Sequence, residues 1–272
     1  AVQGNLDQRI KWQTHQFDAN FDRHWQPTLG LSEADLVVWP EASFTDFRKN
    51  RTELLRAMDA VVSERGQGLI IGLPDRNEND YTNTALGLGE VDGSYAKRHL
   101  VPFGEYVPLE QWLRGVITFF DLPMSRNQPG PQRQTPLSFK GQPLSLSICY
   151  EIAYPHLVRS AATQPMALVT ISNDTWFGDS IGPVQHLQIA QMRALENGRG
   201  LLRVTNNGIT AAIDHAGEIT DVLPRNQQGV LQTELVLVRG DTPYHRFGYG
   251  MLGAILIFVF LLNIAASLWR NQ

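Results

Sequence analysis

Cysteine is almost missing from this sequence, because Cys149 is the only one among 272 residues. A single cysteine excludes an intrachain disulfide and a cysteine-rich metal site. The seven histidines show no HExxH motif or other close paired spacing, which argues against a histidine metal site. With 18% charged residues and a net charge of -4, the chain gives no electrostatic reason to expect nucleic acid. We therefore predict no metal ion, no cofactor and no nucleic-acid partner.

Long apolar runs are also absent, except near the C-terminus. From Phe247 to Trp269 there is no Asp, Glu, Lys, Arg or His, and this stretch is long enough to cross the hydrocarbon core of a bilayer. Tyr249 and Trp269 stand where interfacial aromatic residues occur. The alternative is a buried core helix, but such helices are seldom that long or that free of charge. We predict a globular domain over residues 1–243 and a transmembrane helix with its flank over residues 244–272.

The beginning of the chain lacks the features of a complete protein. Ala1 stands where an initiator methionine would, and neither a basic segment nor a signal-like apolar run follows it. We therefore expect this sequence to be a piece of a longer protein.

Short apolar runs alternate with amphipathic segments along the chain. The runs are bounded by Pro, Gly or Asn and predict buried strands, whereas apolar residues at helical spacing predict helices. This alternation is typical of an α/β architecture. The predicted strands cover residues 35–40, 68–73, 81–88, 144–148, 166–172, 201–205, 209–213, 219–223 and 230–238, and the predicted helices cover residues 14–29, 52–65 and 183–199. A hairpin turn at residues 92–93 leads into a further predicted strand that ends near Lys97.

Cys149 follows a run in which Leu144, Leu146 and Ile148 alternate with serines, the pattern of a half-buried strand. It therefore lies at a strand end, where functional side chains collect in α/β folds. A lone cysteine is often only a small buried hydrophobe. A nucleophilic thiol needs, in addition, a base and a nearby cation.

Glu41 and Lys97 supply both groups from the ends of two other predicted strands. A carboxylate can take the thiol proton, and an ammonium group can stabilise the thiolate and the oxyanion that forms on attack at a carbonyl. Each residue alone would be interpreted as a solvated surface side chain. Together they predict Cys149 as the nucleophile, Glu41 as the general base and Lys97 as the electrostatic stabiliser. His99 and His186 are not predicted to be bases, because Glu41 is available.

The segments around these three residues form a specific set of motifs. They are Trp39-Pro-Glu41, Lys97-Arg-His-Leu-Val-Pro-Phe-Gly-Glu105-Tyr-Val-Pro108, Ile148-Cys-Tyr-Glu151, Ile171-Ser-Asn-Asp-Thr-Trp-Phe-Gly178 and Thr205-Asn-Asn-Gly-Ile-Thr210, followed by the apolar C-terminal run. In order and content they resemble the carbon–nitrogen hydrolase (nitrilase) superfamily and, within it, the bacterial apolipoprotein N-acyltransferases. The resemblance extends from about Gly4 to the C-terminal run.

The resemblance implies a nitrilase-like αββα sandwich of two mixed sheets flanked by helices, on the periplasmic side of the bacterial inner membrane. It implies an acyltransferase that moves a fatty acyl chain from a phospholipid onto Cys149 as a thioester. The acyl chain then passes to the α-amino group of the diacylglyceryl-cysteine of an apolipoprotein. By the same resemblance Glu105, Tyr150 and Glu151 support the site, and Trp12 lies near the substrate cleft. Family members carry a multi-span membrane region before this domain, which this sequence does not include.

A transferase must keep water away from its thioester, so apolar lid residues are expected. Residues 99–136 are rich in Pro and Gly and show no sustained period, which is typical of a lid or binding segment. Phe119 and Phe120 in that stretch, with Trp176 and Phe177 further on, are the candidate lid residues and could also insert into a bilayer. The alternative is that these side chains simply pack on the domain.

Two further interpretations stay open on the sequence alone. A membrane-tethered carbon–nitrogen hydrolase would use the same Glu/Lys/Cys triad with water as the acceptor, and a catalytically silent scaffold would bind lipids or lipoproteins without using it. The role of Glu151 is also open, because it could hydrogen-bond the Lys97 ammonium or occupy the first turn of a helix.

Overall fold

Two mixed sheets form the centre of the fold in the computed structural model, which describes residues 1–77, 80–102, 104–106, 127–161 and 164–270. The strands are β1 Val2–Gln3, β2 Leu36–Val38, β3 Gly68–Asn77, β4 Asp80–Gly89, β5 Val91–Asp92, β6 Ser94–Ala96, β7 Ser138–Phe139, β8 Gln142–Ile148, β9 Ala167–Ser172, β10 Leu201–Thr205, β11 Thr210–Ile213, β12 Ile219–Leu223 and β13 Gly229–Val230. One sheet has the order β2-β3-β4-β6, and the other has the order β12-β11-β10-β9-β8-β7-β5.

Each sheet contains both parallel and antiparallel pairs of strands. In the smaller sheet β2 and β3 are parallel, and in the larger sheet β8, β9 and β10 are parallel. The remaining pairs in the two sheets are antiparallel. The carboxyl ends of β8, β9 and β10 therefore meet at one edge, which is where ligands bind in open α/β sheets.

The helices α1 Phe17–Gly30 and α2 Thr52–Glu64 cover the outer face of the smaller sheet, and α3 Pro155–Ala161 and α4 Gly182–Asn197 cover that of the larger sheet. Further along the chain come α5 Pro243–Phe247 and α6 Gly250–Arg270. The helix α4 ends where Gly198 takes a left-handed conformation, with a φ of 60°, a common way to end a helix.

Three apolar clusters show the order of the layers. In β3 the side chain of Ile70 points between the sheets, whereas its neighbours Leu69 and Ile71 pack against α1 and α2. The cluster between the sheets also contains Leu146 of β8, and a third cluster joins the larger sheet to α3 and α4. Strands buried on both faces have continuous apolar runs in their sequence, which explains the apolar runs of β3 and β9. The predicted αββα sandwich is confirmed.

The predicted strands and helices agree with the observed ones to within four residues at each end, except near the end of the domain. The structure adds α3 and the short strands β1 and β7, which the sequence pattern did not predict. The strand predicted over residues 230–238 is wrong, because only Gly229–Val230 pairs with another strand. In β1, Val2 and Gln3 pair with Val230 and Gly229, and Ala1 exchanges backbone hydrogen bonds with Leu231. Beyond Leu231 the chain runs along the surface with mostly exposed or half-buried side chains.

The predicted apolar C-terminal stretch forms the helix α6, which is long and apolar enough to cross a membrane. Its residues contribute no buried side chain, so the alternative of a buried core helix is wrong. The short α5 precedes it, and the left-handed Gly248 separates the two helices.

Gly72 in β3 lies against the turn that carries Glu41, and this contact gives a testable prediction. A Cβ added at Gly72 would lie 2.8 Å from both the Glu41 Cα and the Ala42 nitrogen and would also meet the Pro40 carbonyl oxygen. We expect Gly72→Ala to lower the free energy of unfolding by about 1–3 kcal/mol, measured by chemical denaturation. Gly30→Ala is the matched control, because a Cβ there meets nothing within 4 Å. Equal stability of the two variants would contradict this packing.

Candidate active site

The three residues predicted as catalytic come together at one cavity of about 340 Å³. Glu41 follows β2, Lys97 follows β6 directly, and Cys149 follows β8 directly. The first two therefore come from the smaller sheet and the third from the larger one, so the cavity lies where the ends of both sheets meet. The rest of its lining is largely apolar or aromatic.

The turn that carries Glu41 is fixed by buried side chains on both sides. Trp39 is fully buried, and its indole N–H donates a hydrogen bond to the Thr28 hydroxyl at 2.9 Å. Pro40 then ends the strand because it has no N–H to donate. After Glu41 the chain turns through Ala42, whose φ of 51° is left-handed and therefore strained for a residue with a Cβ.

Three donors hold the Glu41 carboxylate. Asn83 Nδ2 donates to Oε1 at 2.6 Å, and the backbone N–H of Asn173 donates to Oε2 at 2.8 Å. The Lys97 ammonium lies 3.5 Å from Oε1. Neither Asn83 nor Asn173 was predicted to hold a site residue. The position of Asn173 in the Ser-Asn-Asp-Thr-Trp-Phe-Gly motif was the one available signal.

Lys97 is buried between two carboxylates. Its Nζ lies 2.8 Å from Glu105 Oε2, which also accepts the backbone N–H of Val101 at 2.8 Å. Burial alone would lower the pKa of Lys97, but the negative charges of Glu41 and Glu105 help to raise it above its usual value. Lys97 therefore stays cationic at neutral pH, as an electrostatic stabiliser must. The predicted supporting residue Glu105 is in direct contact with the trio.

Cys149 adopts a left-handed backbone conformation, with a φ of 52°, at the point where β8 becomes a helical turn. A strained strand-to-helix turn also presents the nucleophile in other hydrolase folds. Burial, followed by the negative charge of Glu41, raises the pKa of the thiol to about 12, although Lys97 acts in the opposite direction. The free site therefore holds a thiol and not a thiolate, so attack requires a base to take the proton.

Glu151 supports the site through backbone hydrogen bonds and makes no hydrogen bond to the Lys97 ammonium among the described residues. Its Oε1 accepts the N–H groups of Arg98 at 2.7 Å and His99 at 3.1 Å and the Tyr95 hydroxyl at 2.9 Å. Its Oε2 accepts the Ile148 N–H at 2.9 Å. Glu151 thus ties the segment after Lys97 to the segment before Cys149. Of the two roles left open, the one in the helical turn is the one observed.

The remaining predicted site residues lie around the cavity or outside the described part of the chain. Tyr150 lines the cavity, and its ring contacts those of His99 and Tyr154. Trp176 and Phe177 also line it and are 59% and 39% exposed, and the Phe177 ring lies edge-on to that of His186. The role of these two residues as a lid stays a prediction. Trp12 lines a second, polar cavity beside Glu41. Phe119 and Phe120 lie outside the described residues.

A buried polar network behind the nucleophile was not predicted. His186 Nε2 lies 3.2 Å from the Cys149 carbonyl oxygen, and its Nδ1 lies 3.1 Å from Asp174 Oδ1. Asp174 Oδ2 accepts a 2.6 Å hydrogen bond from Arg203 Nη2, and Ser172 donates to Oδ1 at 2.6 Å. The network therefore connects β9, β10 and α4 to the strained backbone of the nucleophile.

No group of three or more His, Cys, Asp or Glu side chains is placed to hold a metal ion in the part of the chain that the structure describes.

The Asp174–Arg203 pair predicts how stability depends on pH. Burial acts to raise the pKa of Asp174, but Arg203 and His186 hold this pKa well below its usual value. The carboxylate therefore stabilises the fold fully above the unfolded-state pKa of about 3.9, and this contribution is lost as the pH falls below that value. Asp174→Asn should lower the free energy of unfolding at pH 7 by about 3–5 kcal/mol, because Arg203 stays buried without its partner.

The same variant should lose less stability than wild type between pH 5 and pH 3, measured by denaturation at each pH. Asp22→Asn, at an exposed position of α1, is the control and should follow wild type. A pH profile of Asp174→Asn parallel to that of wild type would contradict the assignment.

Comparison with known proteins places this site in a family. The carbon-nitrogen hydrolase family model matches residues 7–241. An apolipoprotein N-acyltransferase of Pseudomonas aeruginosa is 44% identical over 270 residues, which cover 96% of this chain and 53% of that protein. One from Vibrio vulnificus is 37% identical over 283 residues, which cover 100% of this chain and 55% of that protein. The chain spans about half the length of these relatives.

Solved structures share the fold at lower sequence identity. A carbon-nitrogen hydrolase from Helicobacter pylori superposes with a TM-score of 0.62 at 16% identity and covers 88% of each chain. An amidase from Nesterenkonia sp. superposes with a TM-score of 0.55 at 23% identity, covering 79% of this chain and 81% of its own. By sequence and by fold, this chain belongs to the carbon-nitrogen hydrolase family.

Proposed function

We propose that this chain is the catalytic part of an apolipoprotein N-acyltransferase, with Cys149 as nucleophile, Glu41 as general base and Lys97 as oxyanion stabiliser. The observation that carries the proposal is the cavity of about 340 Å³, which combines a buried thiol, a carboxylate and an ammonium group with an apolar lining. An apolar cavity suits a fatty acyl chain, and the similarity to apolipoprotein N-acyltransferases at 37–46% identity supports the same chemistry.

In the first half-reaction the Cys149 sulfur attacks the ester carbonyl carbon of a phospholipid while Glu41 takes the thiol proton. A carbon–sulfur bond forms, and negative charge develops on the carbonyl oxygen, where the Lys97 ammonium can stabilise it. The ester carbon–oxygen bond then breaks. The leaving alkoxide takes the proton from Glu41, so a lysophospholipid departs and Cys149 holds the acyl chain as a thioester.

In the second half-reaction the α-amino group of the diacylglyceryl-cysteine of an apolipoprotein attacks the thioester carbon. Glu41 takes a proton from the attacking nitrogen, the carbon–nitrogen bond forms and the carbon–sulfur bond breaks. The sulfur then recovers a proton from Glu41, which restores the thiol. The overall change is an ester and an amine converted to an amide and an alcohol, with no oxidation or reduction.

The exposed apolar residues around the cavity support a location at a membrane. Trp176 and Phe177 border the cavity, and Ile181 and Val184 continue the exposed apolar surface into the start of α4. With α6 crossing the bilayer, the domain over residues 1–243 would lie on the periplasmic side of the inner membrane and take its donor from the lipid phase. The helix and its flank over residues 244–272 would be the anchor.

The first testable consequence concerns the acyl-enzyme. Incubation of the intact protein with a phospholipid should add one acyl chain to Cys149, detected by mass spectrometry, and Cys149→Ser should form no thioester. Glu41→Gln should slow adduct formation by about 10²- to 10⁴-fold, because the thiol then has no base. Glu53→Gln, at an exposed position of α2, is the matched control and should react as wild type. A Glu41→Gln variant that acylates at the wild-type rate would refute the assignment.

The choice between transferase and hydrolase rests on the fate of the thioester. A transferase should hold the acyl chain until an amine arrives, whereas a hydrolase should release fatty acid at the same rate with or without an acceptor. Opening the apolar rim by Trp176→Ala should admit water and speed hydrolysis of the isolated acyl-enzyme by up to about tenfold, equivalent to ~1.4 kcal/mol of barrier.

Val222→Ala, at another exposed apolar position on β12, should leave that hydrolysis rate unchanged. Fatty-acid release from wild type that is already as fast as acyl-enzyme formation would favour the hydrolase.

A further inference from the structure

The carbonyl group of Cys149 has a side-chain partner that the reaction described above does not use. His186 of α4 is 5% exposed, and its Nε2 lies 3.2 Å from the Cys149 carbonyl oxygen. A carbonyl oxygen can only accept a hydrogen bond, so Nε2 carries a proton and donates it. The neutral imidazole with its proton on Nδ1 is excluded, because the Nε2 lone pair would then face that oxygen.

A buried charged pair holds the imidazole ring from its other side. Nδ1 lies 3.1 Å from Asp174 Oδ1 and 3.2 Å from Arg203 Nη2. These two residues are 1% and 0% exposed and are joined to each other by a hydrogen bond of 2.6 Å. The Phe177 ring lies edge-on to the imidazole, with 5.8 Å between the ring centres. The ring of His186 therefore has one orientation, in which Nε2 points at the nucleophile.

Fixing the Cys149 carbonyl also fixes the N–H of Tyr150. The two groups belong to one planar trans peptide, in which the C=O and N–H bonds point in opposite directions. Cys149 has a left-handed φ of 52°, and such a conformation persists only when its surroundings hold it. In α/β-hydrolases the nucleophile also lies on a strained strand-to-helix turn, and the N–H of the next residue donates to the oxyanion.

We propose that His186 is a positioning residue, which holds the peptide between Cys149 and Tyr150 so that the Tyr150 N–H stabilises the oxyanion together with the Lys97 ammonium. The inference rests on the proposed function, because an oxyanion forms only when Cys149 attacks a carbonyl group. His186 does not take the thiol proton, which remains the task of Glu41. It acts through the direction of one backbone donor.

Two amide variants of His186 test this role because they differ in reach. The side chain of His186→Gln can place an N–H near the position of Nε2, whereas that of His186→Asn is one carbon shorter and extends only to about the position of Nδ1. Acylation of Cys149 in the intact protein is followed with p-nitrophenyl butyrate, from the burst of nitrophenolate at increasing ester concentration.

His186→Asn should lower the maximal acylation rate by about 10- to 100-fold, because a misdirected oxyanion donor loses much of its effect. The half-saturating ester concentration should stay nearly unchanged, since the interaction forms only in the transition state. His186→Gln should recover most of the lost rate. His186→Phe keeps a ring without any N–H, should behave as His186→Asn, and replaces that variant if it fails to fold.

Alkylation by iodoacetamide separates this role from a general loss of structure. In that reaction the Cys149 sulfur displaces iodide from a saturated carbon, so no oxyanion forms. His186→Asn should therefore be alkylated at nearly the wild-type rate, measured by mass spectrometry. Leu187→Val is the stability control, because Leu187 packs in the cluster between the larger sheet and its helices. It should lower the Tm and leave both rates unchanged.

Two outcomes would overturn the positioning role. One is equal slowing of acylation by His186→Asn and His186→Gln, and the other is equal slowing of acylation and alkylation by His186→Asn. Wild type that is acylated by the nitrophenyl ester but forms no acyl-Cys149 from a phospholipid would overturn the proposed function instead.

Discussion

The Lys97 ammonium, buried between the carboxylates of Glu41 and Glu105, is the interaction on which the site depends. Removing a charge from water costs several kcal/mol, so a lysine at this depth needs close anionic partners. Both partners are themselves held by other donors, Glu41 by Asn83 and Asn173 and Glu105 by the Val101 N–H. Moving any one of these groups would remove a hydrogen bond or an ion pair from a buried charge, so the fold around the site is fixed by electrostatics as well as by packing.

Backbone strain occurs at the same place as these charges. Ala42 and Cys149 both have left-handed φ values, and each lies at or next to a residue of the predicted trio. Such conformations cost about 1–3 kcal/mol each and persist only when the surroundings hold them. Around Ala42 the close contact with Gly72 does this, and around Cys149 the contacts of Glu151 and His186 do. Packing energy from the sheets thus maintains two turns that local preferences would not form.

The layers of the fold and the meeting of Glu41, Lys97 and Cys149 at one cavity could be predicted because each leaves a local signal in the sequence. Apolar runs of the right period marked the strands, and Glu41, Lys97 and Cys149 each followed one of them. The groups that hold these side chains left no such signal. Asn83 lies within β4 and looks like any polar strand residue, and the roles of His186 and Arg203 arise only when α4 and β10 pack behind Cys149.

The same reason explains the wrong strand at residues 230–238. Its apolar alternation was real, but a strand also needs a partner along its length, and residues 232–238 pair with no strand among the described residues. Whether a strand finds a partner strand depends on the whole topology, and so does the position of the polar side chains behind Cys149. Neither can be read from a local sequence pattern. A site residue could therefore be predicted where the end of one strand determines its position. It could not be predicted where its contacts form only between two distant segments of the chain.

Because the pKa of the Cys149 thiol is high, its reactivity depends on a base. A permanent thiolate would react with any electrophile in its reach, whereas a buried thiol becomes a nucleophile only when Glu41 accepts its proton. Because Glu41 borders both cavities, the same carboxylate can serve a donor and an acceptor that arrive at different times. In the reaction proposed above, the acyl chain stays in the apolar cavity through both half-reactions, while the groups on the other side of Glu41 exchange.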